Sequence, residues 1–110
     1  MSARSASTRR ADYPVSEVLT TRWADNDIYG HVNNAAYYGL IDTAVNRFMI
    51  ARAGVDIFGG PLIALVVETG CRYHAPLAFP QDIEVALKVA RIGTTSVTWH
   101  VGLFAAPAAP

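Results

Sequence analysis

The pattern of apolar and polar positions divides the chain into a few clear elements. Val15, Glu17, Leu19 and Thr21 alternate with Ser16, Val18, Thr20 and Arg22, and the β-branched content predicts a first strand ending near Trp23. The next stretch, Ala24 to His31, holds two Asp, an Asn and a Gly, which is turn chemistry. Tyr37, Leu40, Ile41, Ala44, Val45 and Phe48 then recur at three- and four-residue spacing. They form one wide apolar stripe and predict a helix from about Asn34 to about Ala53. Asn33 and Asn34 are its N-cap candidates, because an Asn side chain can accept from the orphan amides of a first turn. Gly54 is a candidate stop.

After Gly59-Gly60-Pro61 the period changes from helical to strand-like. Leu62 to His74 is rich in β-formers and predicts a strand, with Val67, Thr69, Cys71 and Tyr73 on one face. Ala75 to Pro80 breaks it. Ile83, Val85, Leu87 and Val89 alternate with Glu84, Ala86 and Lys88, the mark of a half-buried strand. Ile92-Gly93-Thr94 reads as a turn and Thr95 to Phe104 as a last strand. The Ala/Pro tail from Ala105 to Pro110 cannot continue a ladder, because proline lacks the donor. One long helix among antiparallel strands is an α+β architecture, with the apolar stripe laid on one face of the sheet.

Composition narrows the class. A chain of 110 residues is one domain's worth, and 52% hydrophobic with 16% charged suits a packed core. Residues 1–13 read as a flexible tail, Ser/Arg-rich at its start, and residues 14–110 as a single domain. No apolar run approaches the roughly 18 residues that span a bilayer, so no membrane role is expected. The formal net charge is zero, which argues against nucleic acid as a partner. So little charge leaves apolar surface for a second subunit. The single cysteine, Cys71, excludes a disulfide within the chain and a cysteine-rich zinc site. It reads as a packed small hydrophobe, and a reducing cytoplasm fits it.

The chemistry is concentrated in Arg22-Trp23-Ala24-Asp25-Asn26-Asp27-Ile28-Tyr29-Gly30-His31-Val32-Asn33-Asn34, followed by Tyr37. This segment sets carboxylates just ahead of a long helix. The first amides of a helix have no internal acceptor and lie at the positive end of its dipole. A carbonyl oxygen there would be polarised, and a developing oxyanion would gain more. A nearby carboxylate could attack an acyl carbon or take a proton from water. On spacing alone, Asp27 could equally be a turn or capping acid.

The same stretch resembles the signature of the 4-hydroxybenzoyl-CoA thioesterase-like branch of the hotdog superfamily. That signature has an acid, a spacer, a second acid, then Gly-His-Val-Asn-Asn and a later Tyr. Here it is met by Asp25, Asp27, Gly30 to Asn34 and Tyr37. A second block, Arg72-Tyr73-His74-Ala75-Pro76 with Asp82, Val85, Val89, Gly93 and Ser96, is similar to the family's later strands. The resemblance spans roughly Val15 to Phe104. It implies a hotdog fold, an antiparallel sheet wrapped around one long helix, here lacking the last strand.

It also implies an acyl-CoA thioesterase that uses Asp27 as nucleophile or general base and the helix-start amide near Asn34 as carbonyl polariser. The substrate would be an acyl-CoA or acyl-carrier-protein thioester. No separate cofactor is expected, since coenzyme A is part of the substrate. Sites would lie at the seam of a homodimer or tetramer in the cytoplasm. The alternative reading is a non-catalytic acyl-thioester-binding hotdog protein or an inactive truncated relative. Asp25 reads as a structural turn acid. His31 either assists substrate or fixes the loop. Tyr37 and Asn33 are substrate-binding candidates, although Tyr37 and Tyr38 also suit core or interface positions. Glu68 either faces the acyl pocket or sits on its rim.

Overall fold

The computed structural model describes residues 9–56, 58–61 and 64–110. Residues 1–8 of the tail expected at 1–13, and the expected strand start at Leu62 and Ile63, lie outside them, whereas residues 9–13 of that tail are described, with a 3-10 turn at Arg10–Asp12 and Tyr13 buried. Strands β1 (Val15–Thr20), β2 (Asp82–Ile92) and β3 (Val97–Ala105) form one antiparallel sheet in the order β1-β2-β3. Helix α1 (Asn34–Ala51) lies between β1 and β2 in sequence. Short 3-10 turns at Arg10–Asp12 and Trp23–Asp25 flank β1.

Register explains which residues meet. Val15, Glu17 and Leu19 of β1 pair with Leu87, Val85 and Ile83 of β2, which pair in turn with Val101, Leu103 and Ala105 of β3. These positions share one face, because side chains alternate along a strand. Against them pack Tyr37 and Ala44 of α1, with Leu40, Ile41, Val45 and Phe48 half-buried around them. Ile83, Val85 and Leu87 have no solvent exposure. The apolar stripe and the strand alternation therefore build one core, as expected. Phe48 meets Trp99 edge-on at 5.8 Å. Glu17 falls on this helix-facing side as well, and α1 answers it with Arg52 at 3.6 Å and Arg47 at 3.9 Å.

The opposite face is closed by the first described residues. Tyr13 is buried and meets Phe104 edge-on. Glu84 accepts from the Arg10 guanidinium, from Ser16 Oγ at 2.8 Å and from the Ala108 N–H at 3.4 Å. Those donors, Arg10 foremost, hold its carboxyl below the usual range.

Two boundaries shift and one element differs. β1 ends at Thr20 rather than near Trp23, because the chain turns into the Trp23–Asp25 3-10 helix. α1 ends at Ala51, and Gly54 follows at φ +70°, letting the Val55 N–H return to the Met49 carbonyl at 2.9 Å. The strand expected from Leu62 to His74 is not formed among the described residues. Ala64 to Tyr73 makes no ladder, and Leu65, Val66 and Val67 are exposed. Its composition suits a strand, but a strand exists only through a neighbour that exchanges main-chain bonds. The segment Cys71–Leu77 instead faces the edge Val101–Ala105 of β3 across a cleft of about 400 Å³.

Candidate active site

The loop from Asp25 to Asn33 is built by its own polar groups. Asp25 is buried, and its carboxylate accepts from the Arg22 main-chain N–H at 2.7 Å and from the Arg22 guanidinium at 2.8 Å. Those bonds hold its carboxyl below the ordinary value against the opposing cost of burial. Asp25 is thus committed to holding the loop, the structural role its place in the turn suggested.

Asp27 starts a tight turn. Its main-chain carbonyl accepts from Gly30 at 3.1 Å, and its N–H donates to the His31 carbonyl at 2.9 Å. Gly30 has φ +81°, a conformation side-chain-bearing residues resist, and this lets the chain double back. One carboxylate oxygen, Oδ1, accepts from the Tyr29 N–H at 2.9 Å, an Asx turn. The turn is anchored from outside by the segment leading to β2. Val32 N–H donates to the Leu77 carbonyl at 2.7 Å, and Phe79 N–H donates to Asn26 Oδ1 at 2.9 Å.

The helix start follows at once. Asn33 is the N-cap, and its Oδ1 accepts from the Ala35 N–H at 2.8 Å. Asn34 is the first helical residue. Its N–H makes no hydrogen bond to a group outside the helix among the described residues, as expected for a first-turn donor.

Asp27, His31, Asn34 and Tyr37 line one cleft of about 440 Å³, together with Tyr29, Val32, Tyr73, His74, Ala75 and Pro76. Four of the six residues singled out in the sequence are therefore neighbours. Asn33 does not line the cleft, because its side chain turns back to cap the helix. Glu68 is exposed in the unpaired segment and does not line it either. Tyr73 and His74 stood in the second family-like block, but sequence reasoning gave them no role in the site. Only the fold carries that block 39 residues back to the helix start. There Tyr73 Oη donates to the Asn34 carbonyl at 3.1 Å, and its ring meets Tyr37 edge-on at 5.0 Å. No group of three His, Cys, Asp or Glu able to hold a metal ion gathers among the described residues.

Chemically, the cleft offers a half-exposed carboxylate and a helix N-terminus whose dipole favours negative charge. Apolar walls from Val32, Tyr37, Ala75 and Pro76 adjoin it.

Comparison with known proteins identifies the family of this fold. None of the curated proteins is significantly similar to the chain. Among solved structures, the PA5185 protein of Pseudomonas aeruginosa is 54% identical with a TM-score of 0.85, over 88% of this chain and 68% of that one. A protein of Xanthomonas campestris, provisionally assigned as an acyl-CoA thioesterase, is 36% identical with a TM-score of 0.75, over 86% of this chain and 79% of that one. The PA2801 protein of Pseudomonas aeruginosa, provisionally a thioesterase, is 28% identical with a TM-score of 0.78, over 84% of this chain and 71% of that one. The family profile described as Thioesterase superfamily matches residues 29–108. With that match and the three-strand sheet carrying one long helix, the chain belongs to the thioesterase superfamily, as a hotdog-fold thioester hydrolase.

Proposed function

We propose that the protein hydrolyses acyl-CoA thioesters, with Asp27 as the reacting carboxylate and the main-chain N–H of Asn34 as donor to the thioester carbonyl. The observation that carries the reading is that Asp27 and the start of α1 line the same cleft. As general base, Asp27 takes a proton from water while the water oxygen adds to the carbonyl carbon. The displaced electron pair gathers on the carbonyl oxygen, beside the Asn34 N–H and the positive end of the helix. Collapse breaks the carbon–sulfur bond. Coenzyme A leaves as the thiol with that proton, and the acyl group leaves as the carboxylic acid. In the nucleophilic variant, Asp27 itself adds to the carbon and expels coenzyme A as the thiolate, leaving a mixed anhydride; water then cleaves the anhydride to the carboxylic acid and the Asp27 carboxylate, and the proton it releases goes to the thiolate. Either route needs a carboxylate within reach of the substrate, and the half-exposed position of Asp27 in the cleft supports both.

His31, on the rim of the cleft, would contact substrate or the attacking water, and Tyr37 would pack on the acyl group. A carrier-protein thioester offers the same carbonyl and pantetheine arm, so it stands as the second substrate form. No described helix is long and apolar enough to cross a membrane. We place the reaction in the cytoplasm, where coenzyme A esters are made, and expect neither a separate cofactor nor nucleic acid. The exposed run Leu65-Val66-Val67 supports assembly of two or four copies, with the second copy completing each cleft.

The test is free-thiol release from short, long and aromatic acyl-CoA esters, with Asp27→Asn alongside. The wild type should turn over and Asp27→Asn should lose at least about a hundredfold in kcat. Undiminished turnover by Asp27→Asn would remove Asp27 from the mechanism. Binding of a non-hydrolysable analogue without thiol release would favour the non-catalytic reading.

A further inference from the structure

The start of α1 is held from two sides. Asn33 caps it from within the loop, and Tyr73 reaches it from the segment that follows the helix. The Tyr73 ring is 43% exposed, yet its hydroxyl is turned onto the first helical turn. The Asn34 carbonyl that it meets belongs to a residue that lines the cleft. A donor on that carbonyl restrains rotation about the Asn34 backbone, and so the direction of its N–H. The edge-on contact with Tyr37, itself only 6% exposed, holds the ring from the side. Burial of the hydroxyl and side-chain contacts with Cys71 and Tyr38 push the phenol well above its ordinary value. It therefore stays a protonated donor through the neutral range.

We infer that Tyr73 is a positioning residue, whose hydroxyl holds the Asn34 carbonyl and, through the backbone of that residue, the adjoining helix-start N–H in the direction that the thioester carbonyl requires. The inference rests on the function proposed above. It extends that reading to a residue that touches no reacting atom.

A misdirected donor is felt most where negative charge develops, so loss of the hydroxyl should lower kcat more than it changes KM. Tyr73→Phe keeps the ring and its contact with Tyr37 and removes only the hydrogen bond. The expected result is a fall of about tenfold in kcat with KM within about twofold. The melting temperature should stay close to that of the wild type, and amide hydrogen exchange should quicken at Ala35 to Tyr38. Tyr73→Leu removes ring and hydroxyl together and should show the same exchange change with a larger loss of kcat. Unchanged kcat in Tyr73→Phe, or unchanged exchange in the first turn of α1, would overturn the inference. If the wild type releases no thiol at all, the functional proposal fails instead, and the exchange rates alone decide whether Tyr73 holds the helix start.

Discussion

The main-chain N–H of Asn33 donates to the main-chain carbonyl of Asp25 at 2.7 Å. This single bond closes the loop that carries Asp27 onto the residue that caps α1. The carboxylate and the helix start are therefore parts of one small ring of chain, not two elements that happen to meet. Geometry between them is set locally, within nine residues of sequence, and only its outer anchoring comes from Leu77, Phe79 and Tyr73.

Asn33→Ala removes the cap and leaves the Ala35 N–H without its acceptor. A loss of about 1 kcal/mol is expected, read as a lower urea midpoint at unchanged slope. Asn33→Asp keeps an acceptor beside the positive helix end and should restore the wild-type midpoint. An unmoved midpoint in Asn33→Ala would show that the cap carries no weight here.

Asp25 gives the loop a defined response to acid. Its folded carboxyl is a stronger acid than the unfolded one, because Arg22 favours the charged form. The stabilisation is complete above the unfolded value of about 3.9 and is lost as pH falls through the lower, folded value. Asp25→Asn should cost about 1 kcal/mol near neutrality, the low end for a charge-assisted bond because the Arg22 side chain is 76% exposed. It should also flatten the acid limb of stability below about pH 4. Equal acid limbs in the two proteins would contradict this assignment.

Val67 tests the proposed assembly. Its side chain is 94% exposed, between the exposed Val66 and Glu68. In an isolated subunit, Val67→Arg should change stability by no more than about 0.5 kcal/mol. In an assembled one it would bury an unpaired charge, so sedimentation should shift towards the single chain and thiol release should fall with it. Wild-type association of Val67→Arg would move the contact elsewhere.

Much of this was legible in the sequence. The stripe from Tyr37 to Phe48 and the alternation from Ile83 to Val89 name the residues that form the core, because both patterns are local consequences of backbone geometry. The segment after Pro61 misled, because its β-forming residues say nothing about whether a neighbour lies within reach. Tyr73 was invisible as a site residue for a related reason. Its role depends on a contact with Asn34 across 39 positions, and no periodicity encodes such a distance. Glu68 was a candidate for the acyl pocket or its rim only on the expectation that its segment is a strand. Once no ladder forms, strand alternation no longer dictates where its side chain points.

Glu84 has a topological consequence. One carboxylate binds Arg10 and the Ala108 N–H, so these two distant parts of the chain are drawn together near the start of β2. The seam between them is an ion pair and a hydrogen bond. A short peptide bridge across that seam would make it covalent, and new ends opened in the exposed turn Phe58–Pro61 would leave every strand pairing intact. In that circular permutant the loop bearing Asp27 and the helix it faces would be joined as before, in the second half of the chain rather than near its beginning.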